Sequence, residues 1–108
     1  MHKGTIVLVP FPFTDLSGQK VRPALVLYGA KRGEDCIVAF VSSRTDKRVQ
    51  PFNVPAAPSG KNGLKIDSVI KIDKIATLHT KIVLGELGTL ESAILATVDS
   101  QLKKLFGL

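Results

Sequence analysis

Tryptophan is absent from this chain, cysteine and methionine occur once each, and histidine occurs twice. A single cysteine, Cys36, excludes an internal disulfide and fits a reducing compartment. It lies in the apolar run Cys36-Ile37-Val38-Ala39-Phe40-Val41, where a buried structural thiol is the expected reading rather than a nucleophile. His2 and His79 stand alone, so no paired His/Cys spacing suggests a metal site, and no metal or other cofactor is expected. A glycine-rich phosphate loop and a nucleophile elbow are missing as well. No apolar run approaches the roughly 20 residues of a membrane span. Pro10 stops Thr5-Ile6-Val7-Leu8-Val9, which is too short for a signal-peptide core and has no small-residue cleavage site after it. That stretch reads as a first strand, and a cytoplasmic protein without membrane attachment is expected.

Acidic residues are also scarce. Nine Asp and Glu oppose fifteen Lys and Arg, leaving +6 and a sequence pI near 9.7. The excess is uneven: residues 37–62 hold four basic side chains and one acid, while residues 83–108 hold two basic and three acidic. Such a balance suits a polyanionic partner without identifying one. With 108 residues and a 44% apolar fraction, a single folded domain over residues 1–108 is expected, with disorder disfavoured.

The pattern along the chain is mostly β. Thr5 to Val9 is a strand, and Pro10 to Gly18 a loop whose Phe11 and Phe13 either cover an open barrel end or stack on bases, core cover being preferred. Ala24 to Tyr28 and Cys36 to Val41 are further strands, the latter central and covered on both faces. Gln50 to Pro58 reads as a short edge strand, followed by a mobile loop from Ala56 to Asn62. From Ser68 to Ile75, Ile70 and Ile72 alternate with Lys71 and Asp73, so a half-buried strand presents Lys71 and Asp73 on its polar face. Thr77 to Leu84 reads as a short strand or turn pair, broken by Gly85 and Gly88. Only the C-terminus is helical in pattern: Ile94, Val98, Leu102 and Leu105 recur at three to four residues, Thr89 can cap, and Gly107 can end it. Five or six short strands and one terminal helix point to an α+β, mostly β chain, folded as a small, mostly antiparallel barrel or curled sheet.

The stretch Gly18-Gln19-Lys20-Val21-Arg22-Pro23-Ala24-Leu25-Val26-Leu27 carries the most information about function. Proline lacks a donor, so Pro23 suits a strand start or edge, and it biases Arg22 toward extended backbone. Arg22 then either holds an anion such as a phosphate or pairs with a surface carboxylate. Ser42 and Ser43 end the central strand and either donate to a ligand or cap a turn; Lys71 and Asp73 are either functional or a solvated face. Together Arg22, Ser42, Lys71 and Asp73 offer a guanidinium, a hydroxyl, an ammonium and a carboxylate. That inventory suits metal-free RNA cleavage by the 2′-hydroxyl, which needs a proton acceptor, a donor for the leaving oxygen and cations for the phosphorane.

The Arg-Pro strand start, Gly4-Thr5-Ile6-Val7, Ile37-Val38-Ala39-Phe40-Val41-Ser42-Ser43 and Gly63-Leu64-Lys65-Ile66-Asp67-Ser68-Val69-Ile70 resemble the MazF/PemK family of toxins. Asp73-Lys74-Ile75-Ala76-Thr77 and Gly85-Glu86-Leu87-Gly88 extend the resemblance over nearly the whole chain in order. It implies an SH3-like barrel with a C-terminal helix, homodimeric and without a cofactor. The implied activity is cleavage of single-stranded RNA at short sequences to 2′,3′-cyclic phosphate and 5′-hydroxyl ends, under control of a cognate antitoxin. By the same resemblance Arg22 is the catalytic arginine, Ser42 stands where threonine is usual, Asp73 matches an acid that serves as base, and Lys71 replaces an arginine. Ser43, Arg44, Gln19, Lys20 and Phe13 are the expected substrate contacts. The family often has Glu or His before the Arg-Pro pair; Ser17 and Gln19 stand there instead, leaving Asp73 as the candidate base. The same barrel resembles CcdB-like toxins, which poison gyrase by binding, and an inactive relative that only binds antitoxin or RNA is the third reading.

Overall fold

A computed structural model describes residues 1–11, 20–30, 33–45 and 50–108. Six strands form one antiparallel sheet: β1 (Thr5–Phe11), β2 (Lys20–Gly29), β3 (Asp35–Ser43), β4 (Asn53–Ala56), β5 (Ser68–His79) and β6 (Gly85–Thr89). Their order is β4-β5-β3-β2-β1-β6, and the sheet curls into a half-barrel. A 3₁₀ turn (Thr80–Ile82) links β5 to β6, and helix α1 (Ser92–Phe106) ends the chain. The α+β, mostly β reading of the sequence holds.

β3 is central and apolar because both sides of the sheet are covered. On one face Ile6, Leu25, Ala39, Val41, Ile70 and Ile72 form a buried cluster, against which Ile94, Leu95, Leu102 and Leu105 of α1 pack. The three-to-four-residue spacing that predicts the helix thus supplies its packing stripe, with Val98 fully buried. On the other face Val7, Val9, Ala24, Val26, Cys36, Val38 and Leu78 form a second cluster, closed by Ile82 and Val83 next to the 3₁₀ turn. Gly107 ends α1 in left-handed conformation (φ 70°), its N–H donating to the carbonyls of Lys103 and Lys104.

Several expectations are corrected. Glu91, not Thr89, is the N-cap of α1, since Thr89 still pairs with Thr5 as the last residue of β6. The separate strand or turn pair expected from Thr77 is instead the end of β5, which runs on to His79 because Ile37 and Cys36 continue to pair with Thr77 and Leu78. Gly85 and Gly88 do not break the chain but belong to β6, where a side chain at Gly88 would strike the Lys61 carbonyl. β2 begins at Lys20, so Pro23 lies inside it, paired with Leu8 of β1. Toward β3, however, pairing stops at Ala24–Phe40, so on that side Pro23 still marks the start of the ladder.

The segment expected to be a mobile loop, Ala56 to Asn62, is fastened. Asn62 is fully buried, and its side-chain oxygen accepts from the N–H groups of Ser59 (3.1 Å) and Leu64 (2.9 Å). Its amide donates to the Ala57 carbonyl (2.9 Å) and to Glu91 Oε1 (3.0 Å), while its backbone N–H donates to Ser59 Oγ (3.0 Å). Gly63 follows at φ 71°, where a side chain would also collide with the Leu87 carbonyl. Every side-chain donor and acceptor that Asn62 buries is thereby paired.

Candidate active site

Cross-strand partners in an antiparallel sheet share a face. The register Val9–Arg22, Phe11–Lys20 and Ala24–Phe40–Lys71–Asn53 therefore sets Phe11, Lys20, Arg22, Phe40, Lys71 and Asn53 on the face of the second core cluster. One end of that face is apolar and closed; the other is polar and open. The opening follows from Pro23. Without an N–H at that position the β2–β3 ladder ends at Ala24–Phe40, and Arg22 and Ser42 lie two residues beyond the last pair, where the strands are no longer bonded to each other.

A second irregularity completes the site. β3 and β5 pair continuously from Asp35–His79 to Ala39–Ile75, then resume at Phe40–Lys71. Residues 72–74 form a bulge in β5 with no partner on β3, and the Ile72 N–H donates instead to the Phe52 carbonyl (2.9 Å). A bulge bends its strand and redirects side chains. Ile72 turns into the core beneath α1, whereas Asp73 and Lys74 are exposed at the rim.

Arg22, Ser42, Lys71 and Asp73 line one cleft of about 530 Å³ together with Phe11, Phe40, Val41, Lys74 and Ile75. Ser42, Lys71, Asp73 and Lys74 also line an adjoining groove of about 550 Å³, whose other walls include Ser43, Arg44, Gln50 and Asn53. A third hollow of about 370 Å³ joins Arg22, Ser42 and Ser43 to Leu64, Lys65 and Ser68. Ser42 thus stands where three recesses meet, and Arg22 where two do. No ion pair engages Arg22, Lys71 or Asp73 among the described residues, so neither cation is neutralised by a fixed carboxylate there.

Of the expected substrate contacts, Ser43 and Arg44 flank the groove, with the Arg44 N–H donating to the Asp67 carbonyl (2.9 Å), and Lys20 is exposed at the start of β2. Gln19 and Phe13, with the rest of their loop, lie outside the described residues. Phe11, expected to cover the core, is 41% exposed instead. Phe40, Lys74 and Asn53 were not singled out from sequence. The alternation Phe40-Val41-Ser42 on β3 carried that information, since residues two apart share a face. His79 does not join the site: its Nδ1 accepts from the Lys81 N–H (3.1 Å), capping the 3₁₀ turn, and its Nε2 lies 3.6 Å from Glu34. Cys36 is fully buried; burial, reinforced by the Asp35 charge, pushes its thiol up, as suits a packing residue. Among the described residues no group of three or more His, Cys, Asp and Glu converges on a metal-sized site.

A family model for the PemK-like, MazF-like toxin of type II toxin–antitoxin systems matches residues 2–106. The crystal structure of MazF from Deinococcus radiodurans aligns at a TM-score of 0.76 and 26% identity, covering 100% of this chain and 97% of that one. A MazE–MazF crystal structure from the same organism gives 0.77 at 26% identity, with coverages of 100% and 97%. An endoribonuclease in complex with its cognate antitoxin from a mycobacterial species gives 0.77 at 21% identity, covering 100% of this chain and 96% of that chain, a likeness of fold. No curated protein matches the chain.

Proposed function

The chain belongs to the PemK-like, MazF-like toxins of type II toxin–antitoxin systems, and from that premise we propose that it is an endoribonuclease that cuts single-stranded RNA without a metal ion. Endoribonuclease activity is general to the family. The observation that carries the reading to this chain is the convergence of Arg22, Ser42, Lys71 and Asp73 on one open cleft.

In this reading the Arg22 guanidinium and the Ser42 hydroxyl hold the scissile phosphate where β2 and β3 part. Asp73 accepts the proton of the adjacent 2′-hydroxyl as its oxygen bonds to phosphorus. Lys71 offsets the charge that develops on the phosphorane. The bond from phosphorus to the 5′ oxygen breaks, that oxygen takes a proton from solvent, and the products carry a 2′,3′-cyclic phosphate and a 5′-hydroxyl. Arg44 and Ser43, along the adjoining groove, contact the continuing strand. Cutting messenger RNA this way stops translation and growth. A homodimer and an acidic, partly disordered antitoxin segment, attracted by the +6 chain, complete the proposed setting in the cytoplasm.

The test is incubation of the purified protein with a long single-stranded RNA in EDTA, followed by mapping of the cut ends. Discrete cuts with cyclic phosphate termini are expected. Intact RNA, or cuts that require a divalent cation, would contradict the proposal.

A further inference from the structure

Besides the cleft of Asp73, Arg22 and Ser42 open onto a second recess, the hollow of about 370 Å³ beside residues 63–68. Val21 and Pro23 alternate with Arg22 along β2, and Val41 and Ser43 alternate with Ser42 along β3. The hollow and the Asp73 cleft therefore meet at Arg22 and Ser42 from the two sides of the parted strands. The segment that closes the hollow is fastened along its length. Leu64 is buried and its N–H donates to the Asn62 side chain (2.9 Å). The Ser68 hydroxyl donates to the Ile66 carbonyl (2.9 Å), and the Arg44 N–H to the Asp67 carbonyl (2.9 Å). Between those anchors Ile66 stands 56% exposed, and Val21, from β2, 55%. Aliphatic side chains held in water on a fixed backbone gain from any partner that covers them. No carboxylate is among the described residues that line the hollow; its charged groups are Arg22 and the exposed Lys65, both positive. An apolar recess with a cation at each side suits a nucleotide, whose base is flat and whose phosphates are anionic.

The direction of the reaction decides which nucleotide. When a 2′-hydroxyl attacks the adjacent phosphate, the attacking oxygen and the leaving 5′ oxygen lie on opposite sides of phosphorus. The attacking oxygen belongs to the nucleotide before the cut and lies beside the group that takes its proton. That group, Asp73, lines the cleft and not the hollow. With the phosphate held between Arg22 and Ser42, the leaving oxygen is then directed toward the hollow. We propose that this hollow seats the nucleotide on the 3′ side of the cut, its base covering Ile66 and Val21 and its following phosphate meeting Lys65. The proposal rests on the endoribonuclease reading and gives the RNA a direction across the site, 5′ side at Asp73 and 3′ side at Lys65. Aliphatic walls cover any base, so the subsite supplies affinity and alignment of the leaving nucleotide without choosing among bases.

The experiment uses a short RNA spanning one mapped cut, with 2′-deoxyribose at the nucleotide before the cut so that it binds without reacting. Two copies carry an abasic residue, one just before the cut and one just after it. Kd is measured for wild type, Ile66→Ala and Lys65→Ala, with thermal melting to check that all three are folded. Removing the base after the cut should weaken binding by the wild type about tenfold. Ile66→Ala should weaken binding of the intact RNA by about the same factor, become indifferent to that base, and respond to the base before the cut as the wild type does. Lys65→Ala should reduce the slope of log Kd against log salt by about 0.7, the share of one phosphate contact on a single strand. The subsite is overturned, while the nuclease reading stands, by any of three results: a wild type indifferent to the base after the cut, an Ile66→Ala protein that binds like the wild type or whose loss follows the base before the cut, or a full salt slope in Lys65→Ala. If the wild type leaves the all-ribose RNA uncut, both fall together.

Discussion

Two polar regions of this molecule treat their charges in opposite ways. At the Asn62–Glu91 junction, beside the helix-covered core, each buried side-chain polar atom has a partner: Asn62 alone joins Ser59, Leu64, Ala57 and Glu91. In the Arg22 cleft, three cations (Arg22, Lys71 and Lys74) and the Asp73 carboxylate share a recess with no ion pair among the described residues. Buried polar groups that are fully paired hold a fold together and have no capacity left for a ligand. Charges left open in a cleft contribute little to folding and are available to substrate. On the proposed function, the contrast is that between a structural device and a catalytic one.

The largest effect is expected at Arg22. Arg22→Ala should lower RNA cleavage by about 10²–10³-fold, as loss of one donor to a developing charge does, with little change in melting temperature. Equal activity would place Arg22 with the structural charges. Asn62→Ala should do the reverse. Four groups lose their partner at once, so unfolding free energy should fall by about 2–4 kcal/mol and Tm by roughly 10–20 °C, while the folded fraction still cuts RNA. A melt matching the wild type would show that the junction is dispensable.

The smallest effect concerns Glu91 and pH. Burial works to raise its pKa, but its own backbone N–H, the Asn62 amide, Ser59 and the Lys61 charge together outweigh that and hold the carboxyl below its ordinary 4.5. A carboxylate with a lowered pKa in the folded chain binds fewer protons there than when unfolded. Its stabilisation is therefore complete above about pH 5 and is lost as pH falls through and below 4.5. Glu91→Gln should flatten the acid limb of a Tm-against-pH curve and leave cleavage at neutral pH unchanged. An identical acid limb would show that the junction does not depend on this charge.

Much of the fold was legible because local periodicity and burial coincide. The spacing of Ile94, Val98, Leu102 and Leu105 gave the helix, and the alternation around Ile70 and Ile72 placed Lys71 with Asp73. What local pattern does not carry is register. The bulge at 72–74 is created by pairing between β3 and β5, strands separated by some two dozen residues in sequence, and nothing within Lys71-Ile72-Asp73-Lys74 announces it. The same holds for β6: a segment with two glycines reads as a break until Lys61 approaches Gly88. Asn62 was hidden for a related reason, since Ser59-Gly60-Lys61-Asn62-Gly63 has loop composition and its Glu91 partner lies 29 residues away. Arg22 was legible because Pro23 acts on its immediate neighbour, and the same proline parts β2 from β3.

The most direct measurement takes wild type, Arg22→Ala and Asn62→Ala through the same two assays, a thermal melt and cleavage of one defined single-stranded RNA in EDTA. Arg22→Ala is expected to melt with the wild type and cut the RNA about 10²–10³-fold more slowly, and Asn62→Ala to melt early yet cut at the same positions. An Arg22→Ala protein that cuts like the wild type would contradict the assignment of this cleft as the site of RNA cleavage.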